Sequence, residues 1–256
     1  MTPLSGSWLE DRGVELKASL AFCTRLPFAR ASSQTAKALA NAAWALPVAG
    51  LVIGLTGALI YALAHRLGLP AWPAATLSVA ATLLITGALH EDGLADTADG
   101  FGGAASREQK LDIMRDSRIG AYGVCALVLS LSLRIGVLAS FADPYAVLWA
   151  LVASHCAARA AMMILMWLLP PARSDGLSYD AGSPPGESIA AAAAIAFVVL
   201  LFCLHPLRGV IAAIFLIVAI ALMAWLTMRQ IEGQTGDVLG ATEQVGEIAV
   251  LLVAVA

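Results

Sequence analysis

The sequence predicts an all-α protein: a polytopic transmembrane helical bundle of about six or seven spans, with an acidic connection near its middle. Three observations carry that expectation. The 256 residues are 60% hydrophobic and 13% charged, with a mean hydropathy of +0.83. A soluble domain is roughly 45–50% apolar and about 25% charged. The apolar residues also gather into runs of the ~20 residues that a helix needs to cross hydrocarbon. Finally, lysine and arginine are divided very unevenly between the connections.

Taken in order, the qualifying runs are approximately 38–64, 71–89, 121–141, 145–169, 188–205 and 207–228. A last run, about 237–256, is interrupted by Glu243 and Glu247 and is the least secure span. The connections at 142–144 and around Pro206 are tight, as in helical hairpins. Two long polar connections remain, 90–120 and 170–187. The second, with Pro170-Pro171 and Gly182-Ser183-Pro184-Pro185-Gly186, reads as a plain loop. Residues 1–256 read as a single integral membrane domain, with no soluble domain and no repeat.

Orientation follows from the basic residues. Eleven lie in connections on the side of the N-terminus: Arg12, Lys17, Arg25, Arg30 and Lys37, then Arg107, Lys110, Arg115 and Arg118, then Arg173 and Arg229. Two, Arg66 and Arg208, lie opposite, while Arg134 and Arg159 fall inside spans. Positive charge is retained in the cytoplasm, which puts the N-terminus and the acidic connection there. No cleavable signal peptide is expected, because Glu10, Asp11, Arg12, Glu15 and Lys17 occupy the first 17 residues. Cys23, Cys125, Cys156 and Cys203 show no metal or disulfide spacing and read as buried thiols. A net charge of −3 says little about partners, and no basic stripe points to nucleic acid, so no nucleic-acid partner is expected. The sequence is compatible with a homo-oligomer and fixes no oligomeric state.

The chemistry concentrates in His90-Glu91-Asp92-Gly93-Leu94-Ala95-Asp96-Thr97-Ala98-Asp99-Gly100, where four carboxylates fall within nine residues. Asp92, Asp96 and Asp99 stand at i, i+4 and i+7 and would share one face of a helix. Like charges so spaced repel, and an apolar neighbourhood strengthens the repulsion. A hard divalent cation resolves it, since Mg²⁺ takes carboxylate oxygens, usually beside substrate phosphates. The alternative is a water-facing acidic loop. Acidic residues at the edge of a span are costly and usually functional. His90 reads as a metal ligand, a proton carrier or an interfacial cap.

Further along, Asp112 and Asp116 are again i, i+4, with Arg115 and Arg118 interleaved. Two carboxylate-bearing helical stretches joined by Gly100-Phe101-Gly102-Gly103 would converge on a pair of metal ions, with the arginines gripping phosphate oxygens. Otherwise Asp112, Arg115 and Asp116 form salt bridges along a solvated helix. Arg25, in Phe22-Cys23-Thr24-Arg25-Leu26-Pro27, either binds an anionic substrate or is one more positive-inside anchor. Asp237, in Thr235-Gly236-Asp237, is an N-cap or a further ligand. Arg134, His155 and Arg159 lie at membrane depth and can point into a shared polar cavity.

At these motifs the chain resembles the cobalamin synthase family, the adenosylcobinamide-GDP ribazoletransferases, over nearly its whole length. The resemblance rests on Phe22–Pro27, on His90–Gly100, on Ile113-Met114-Arg115-Asp116-Ser117-Arg118-Ile119-Gly120 and on Thr235-Gly236-Asp237-Val238-Leu239-Gly240-Ala241. Glu91 occupies a position expected to vary, and Glu232 stands where glycine is common, so neither is given a required role. The resemblance implies a Mg²⁺-dependent enzyme of the bacterial inner (cytoplasmic) membrane, its site facing the cytoplasm. It would join adenosylcobinamide-GDP to α-ribazole, or to its 5′-phosphate, releasing GMP. In that reading Asp92, Asp96, Asp99 and Asp112 are metal ligands, Asp116 is a further ligand or the base, and Arg115 and Arg118 are phosphate clamps.

Two other classes share features with this sequence. CDP-alcohol phosphotransferases of phospholipid synthesis show a related acidic pattern, which Asp96-x-x-Asp99-Gly100 and Asp112-x-x-x-Asp116 partly reproduce. However, Gly103-Ala104 replaces their Ala-Arg pair, and Glu108 replaces their second glycine. A transporter would use Arg134, His155 and Arg159 as its path. Transporter sites lie near the bilayer midplane, whereas the densest charge here lies in the 90–120 connection.

Overall fold

The computed structural model describes residues 6–27 and 39–256. Helix α1 (Gly6–Cys23) is followed, from Leu39, by a span that passes through a 3₁₀ turn (Ala42–Ala45) into α2 (Leu46–Arg66). Then come α3 (Ala71–Thr86), α4 (Leu89–Gly103), α5 (Arg107–Ile113) and α6 (Ala121–Phe141). The remainder is α7 (Pro144–Leu168), the short α8 (Leu177–Ala181), α9 (Gly186–Leu204), α10 (Pro206–Ile231) and α11 (Gly236–Val255). Among the described residues the only β-type pairing is an isolated bridge between Pro171 and Gln234.

Helix α7 is the central post, against which α2, α9, α10 and α11 all pack. Small residues permit the close approach. A Cβ on Gly54 would come within 2.6 Å of the Leu151 carbonyl oxygen, so the α2–α7 crossing requires its glycine. Apolar solvent drives no association between spans, and packing of this kind takes over. Leu59, Leu129, Phe215, Ile217 and Trp225 are exposed on the outside, as suits contact with lipid tails.

Among the described residues, six helices are long and apolar enough to cross a membrane: Leu39–Arg66, Ala121–Phe141, Pro144–Leu168, Gly186–Leu204, Pro206–Ile231 and Gly236–Val255. The last run is therefore a full helix despite Glu243 and Glu247, because both glutamates face the protein interior. The expected span at 71–89 is different. Helix α3 is 16 residues long and turns by 91° into α4, and the pair makes a seventh span only if counted together. Gly87 (φ +69°) and Ala88 (φ +57°) make the corner, both in the left-handed region. The 90–120 connection is thus largely helical, and Gly100–Gly103 lies inside α4 rather than forming a turn. The tight hairpins at Ala142 and His205 are present, each with a left-handed φ.

Candidate active site at the crossing of α4 and α11

Helix α4 lies across the N-terminal end of α11, and glycine sets their separation. A Cβ on Gly93 would come within 2.7 Å of the Asp237 carbonyl oxygen, while one on Gly240 would meet the His90 backbone at 3.3 Å. This contact carries Asp237 to the acidic face of α4. The charged neighbours of Asp96 are Asp92, Asp237 and Asp99. Asp92 is exposed and Asp96 half-buried, and among the described residues neither side chain makes an ion pair. Thr235, not Asp237, caps α11: its hydroxyl accepts from the Val238 N–H at 3.3 Å and donates to Asp237 Oδ2 at 3.1 Å. Asp237 is then held by Arg173 at 3.6 Å.

Asp99 is placed differently from its neighbours. It is buried, and its two oxygens accept the N–H groups of Gly120 and Gly123 at 2.7 and 2.9 Å. It anchors the start of α6 from another helix, an anion at a helix N-terminus. That use of both oxygens sets it apart from the open carboxylates of Asp92 and Asp96.

The stretch after α4 also departs from expectation. Helix α5 ends at Ile113, so Asp112 and Asp116 do not share a helical face. Asp112 is exposed. Asp116 is gripped by Arg118 at 2.5 Å, and Arg115 by Asp175 at 2.6 Å. The side-chain and backbone hydrogen bonds from Arg118 pull the Asp116 carboxyl down to about 2. While Arg118 holds it, a group so weakly basic is poorly matched to removing a proton near neutral pH. Among the described residues, Asp92, Asp96, Asp99, Asp112 and Asp116 do not bring three ligand oxygens together.

Connections expected on one side do meet there. Arg107 donates to the carbonyls of Ile231 (3.0 Å) and Ala172, and Lys110 donates to Gln230 at 2.5 Å. The 170–187 segment is accordingly not a plain loop. Its Arg173 and Asp175 hold site residues, and Leu177, Ser178 and Ala181 of α8 close over a cavity.

Beneath the acidic face lies a buried ionic network that sequence reasoning met only in part. Arg134 of α6 contacts Glu91 at 2.7 Å and Glu247 at 2.9 Å, and Arg159 of α7 contacts Glu243 at 2.7 Å. Gln244 bridges Glu91 and Glu243 at 3.1 and 3.0 Å, and Thr82 and Ser130 complete the shell. His155 bonds Arg159, and His90 stands 3.7 Å from Glu243. His90 is 2% exposed, which removes the interfacial-cap reading. His155, Glu243 and Glu247 place ligand atoms within 4.8 Å of one another. Each of these glutamates has a guanidinium partner, with Arg134 shared between Glu247 and Glu91, so the group forms part of an ion-pair network. Charges at this depth must pair, and that was the available signal. Arg134 and Arg159 in spans called for the glutamates of the last apolar run.

Two cavities meet at Asp92. The inner one, about 200 Å³, is lined by Phe22, Met162, Met163, Met166 and Leu239, with Asp92, Arg173 and Asp237 as its charged residues. The outer one, about 440 Å³, holds Arg25, Asp92, Asp96 and Ser117. Arg25 is fixed by its N–H to the Ile85 carbonyl at 2.7 Å, and its guanidinium lies against Gly87, where no side chain would fit. It faces the carboxylates of α4 rather than standing as an isolated anchor. Arg118 is exposed and flanked by Ser117 and Ile119 of the outer cavity.

A polytopic helical membrane bundle with open carboxylates and arginines between two cavities defines an integral membrane protein with an acidic site flanked by arginines. The comparisons sharpen this. The cobalamin-5-phosphate synthase family profile matches residues 15–255, and the chain belongs to that family. An adenosylcobinamide-GDP ribazoletransferase of Bradyrhizobium diazoefficiens is 56% identical over 94% of this chain and 93% of its own. Another, from Mesorhizobium japonicum, is 53% identical over 92% and 90%. A third, from Azorhizobium caulinodans, is 47% identical over 93% and 94%. No solved structure matches the chain.

Proposed function

We propose that this chain joins adenosylcobinamide-GDP to α-ribazole, or to α-ribazole 5′-phosphate, releasing GMP and forming adenosylcobalamin or its 5′-phosphate. The observation that carries the reading is family membership over residues 15–255, together with open carboxylates between two cavities. The donor chemistry suits Mg²⁺: Asp92, Asp96 and Asp237 come from two helices as charged neighbours, and Asp92 and Asp96 lack basic partners. Their three ligand oxygens do not lie within 4.8 Å of one another and would have to draw together around the ion. Those three residues would hold the ion, which when bound supplies positive charge against the substrate pyrophosphate.

The remaining work falls to side chains. A ribose oxygen forms a bond to the phosphorus on the cobinamide arm as the bond from that phosphorus to the GMP oxygen breaks. The hydroxyl proton passes to a carboxylate at the boundary of the cavities. Arg25 grips phosphate oxygens, and Arg118 joins it by exchanging Asp116 for phosphate. Exposed ion pairs contribute little, so that exchange is inexpensive. The eleven-to-two bias of basic residues supports a cytoplasmic-facing site in a bacterial inner membrane.

The test is purified protein given adenosylcobinamide-GDP, α-ribazole and Mg²⁺. Equal yields of GMP and the joined corrinoid are expected. CMP released from a CDP-linked lipid, or uptake into liposomes without turnover, would replace this reading.

A further inference from the structure

We infer that the inner cavity seats the base of the acceptor, a planar apolar two-ring aromatic, and that its rim presents the attached ribose to Asp92. This rests on the transferase reading above. Both substrates carry a bicyclic base, guanine in one and dimethylbenzimidazole in the other, and the cavity wall discriminates between them. Met162, Met163, Met166, Leu239 and Phe22 offer no hydrogen-bonding edge. Guanine would leave several donors and acceptors unpaired there, which is costly. A dimethylbenzimidazole is apolar except for one free ring nitrogen. His90 lines the same cavity, and its buried Nε2 has no hydrogen-bond partner, so a modest turn of the ring would offer one group to that one nitrogen. Methionines adapt to such a ring and make favourable sulfur–aromatic contacts.

Size agrees. An apolar cavity of about 150 Å³ accepts benzene, so one of about 200 Å³ accommodates a small fused ring and excludes a corrin macrocycle. The charged lining residues are neighbours of one another. Asp92, Asp237 and Arg173 stand together; Arg173 faces Asp175 through Nε and Asp237 through Nη2, both at 3.6 Å, and its Nη1 lacks a hydrogen-bond partner. That is where a ribose and a 5′-phosphate would emerge. In-line transfer places the attacking and leaving oxygens on opposite sides of phosphorus. Asp92 borders both cavities, so an acceptor in the inner cavity sends GMP toward the outer one, beside Arg25 and Asp96.

The experiment uses the full-length purified protein and begins with wild-type turnover, so that loss of the functional reading is recognised separately. Saturation-transfer NMR with free 5,6-dimethylbenzimidazole should show binding that α-ribazole displaces and GMP does not. Ala181→Leu, which narrows the cavity, should raise KM for α-ribazole about tenfold with little change for adenosylcobinamide-GDP. A riboside lacking both base methyls should lose roughly 10- to 20-fold in kcat/KM with the wild type. Displacement of the base by GMP, no saturable binding at millimolar base, or a KM change confined to adenosylcobinamide-GDP in an active wild-type background would each overturn the assignment.

Discussion

At the scale of residues, the site is a sorting of carboxylates that look alike in sequence. Asp92 and Asp96 are open, Asp99 is consumed by two backbone N–H groups, and Asp116 is held by Arg118. Glu91, adjacent to Asp92, points the other way into the buried network with Arg134. Removing one partner of a buried pair costs about 3–5 kcal/mol. Glu91→Ala should therefore lower the thermal unfolding midpoint of the purified protein clearly, and an unchanged midpoint would deny the pair a structural role. Arg118→Lys keeps the charge but loses the two-pronged contact, so turnover should fall with the protein still in the membrane. Near-normal turnover by Arg118→Ala would return that residue to the role of a surface charge. The spacing of Asp92 and Asp96 was legible because a helix puts i and i+4 together. The role of Glu91 was not, because its partner lies 43 residues away on another helix.

At the scale of elements, hydropathy located the spans to within a few residues, and the corner between α3 and α4 escaped it. A 91° turn depends on two consecutive left-handed residues, Gly87 and Ala88, and an alanine carries no turn signal. Segment 170–187 was misread for a related reason: prolines and glycines announce a loop but not what it covers. The crossing of α4 with α11 is the element-level feature on which the site depends. Gly93→Ala would push on the Asp237 backbone at 2.7 Å. Close-packed interiors transmit such shifts. The variant should insert and fold but lose most of its turnover, with a raised Mg²⁺ requirement. Wild-type kinetics from Gly93→Ala would show that the separation of the two helices does not matter.

At the scale of the whole molecule, three connections meet on one face through Arg107, Arg115 and Arg173, the face proposed to be cytoplasmic. Reporter fusions after residue 105 should read cytoplasmic and fusions near residue 68 external; a cytoplasmic signal from both would undo this topology. The central claim is that Asp92, Asp96 and Asp237, and not the 112–116 segment, hold the catalytic cation. The most direct measurement is steady-state GMP release, titrated with Mg²⁺, by purified Asp92→Asn, Asp96→Asn, Asp237→Asn and Asp112→Asn. Loss of electrostatic stabilisation at such a centre costs on the order of 10²–10³ in rate. The account predicts losses of that order in the first three, partly relieved by added Mg²⁺, and close to normal turnover in Asp112→Asn. Wild-type-like rates from Asp92→Asn and Asp96→Asn, with the loss appearing in Asp112→Asn instead, would contradict it.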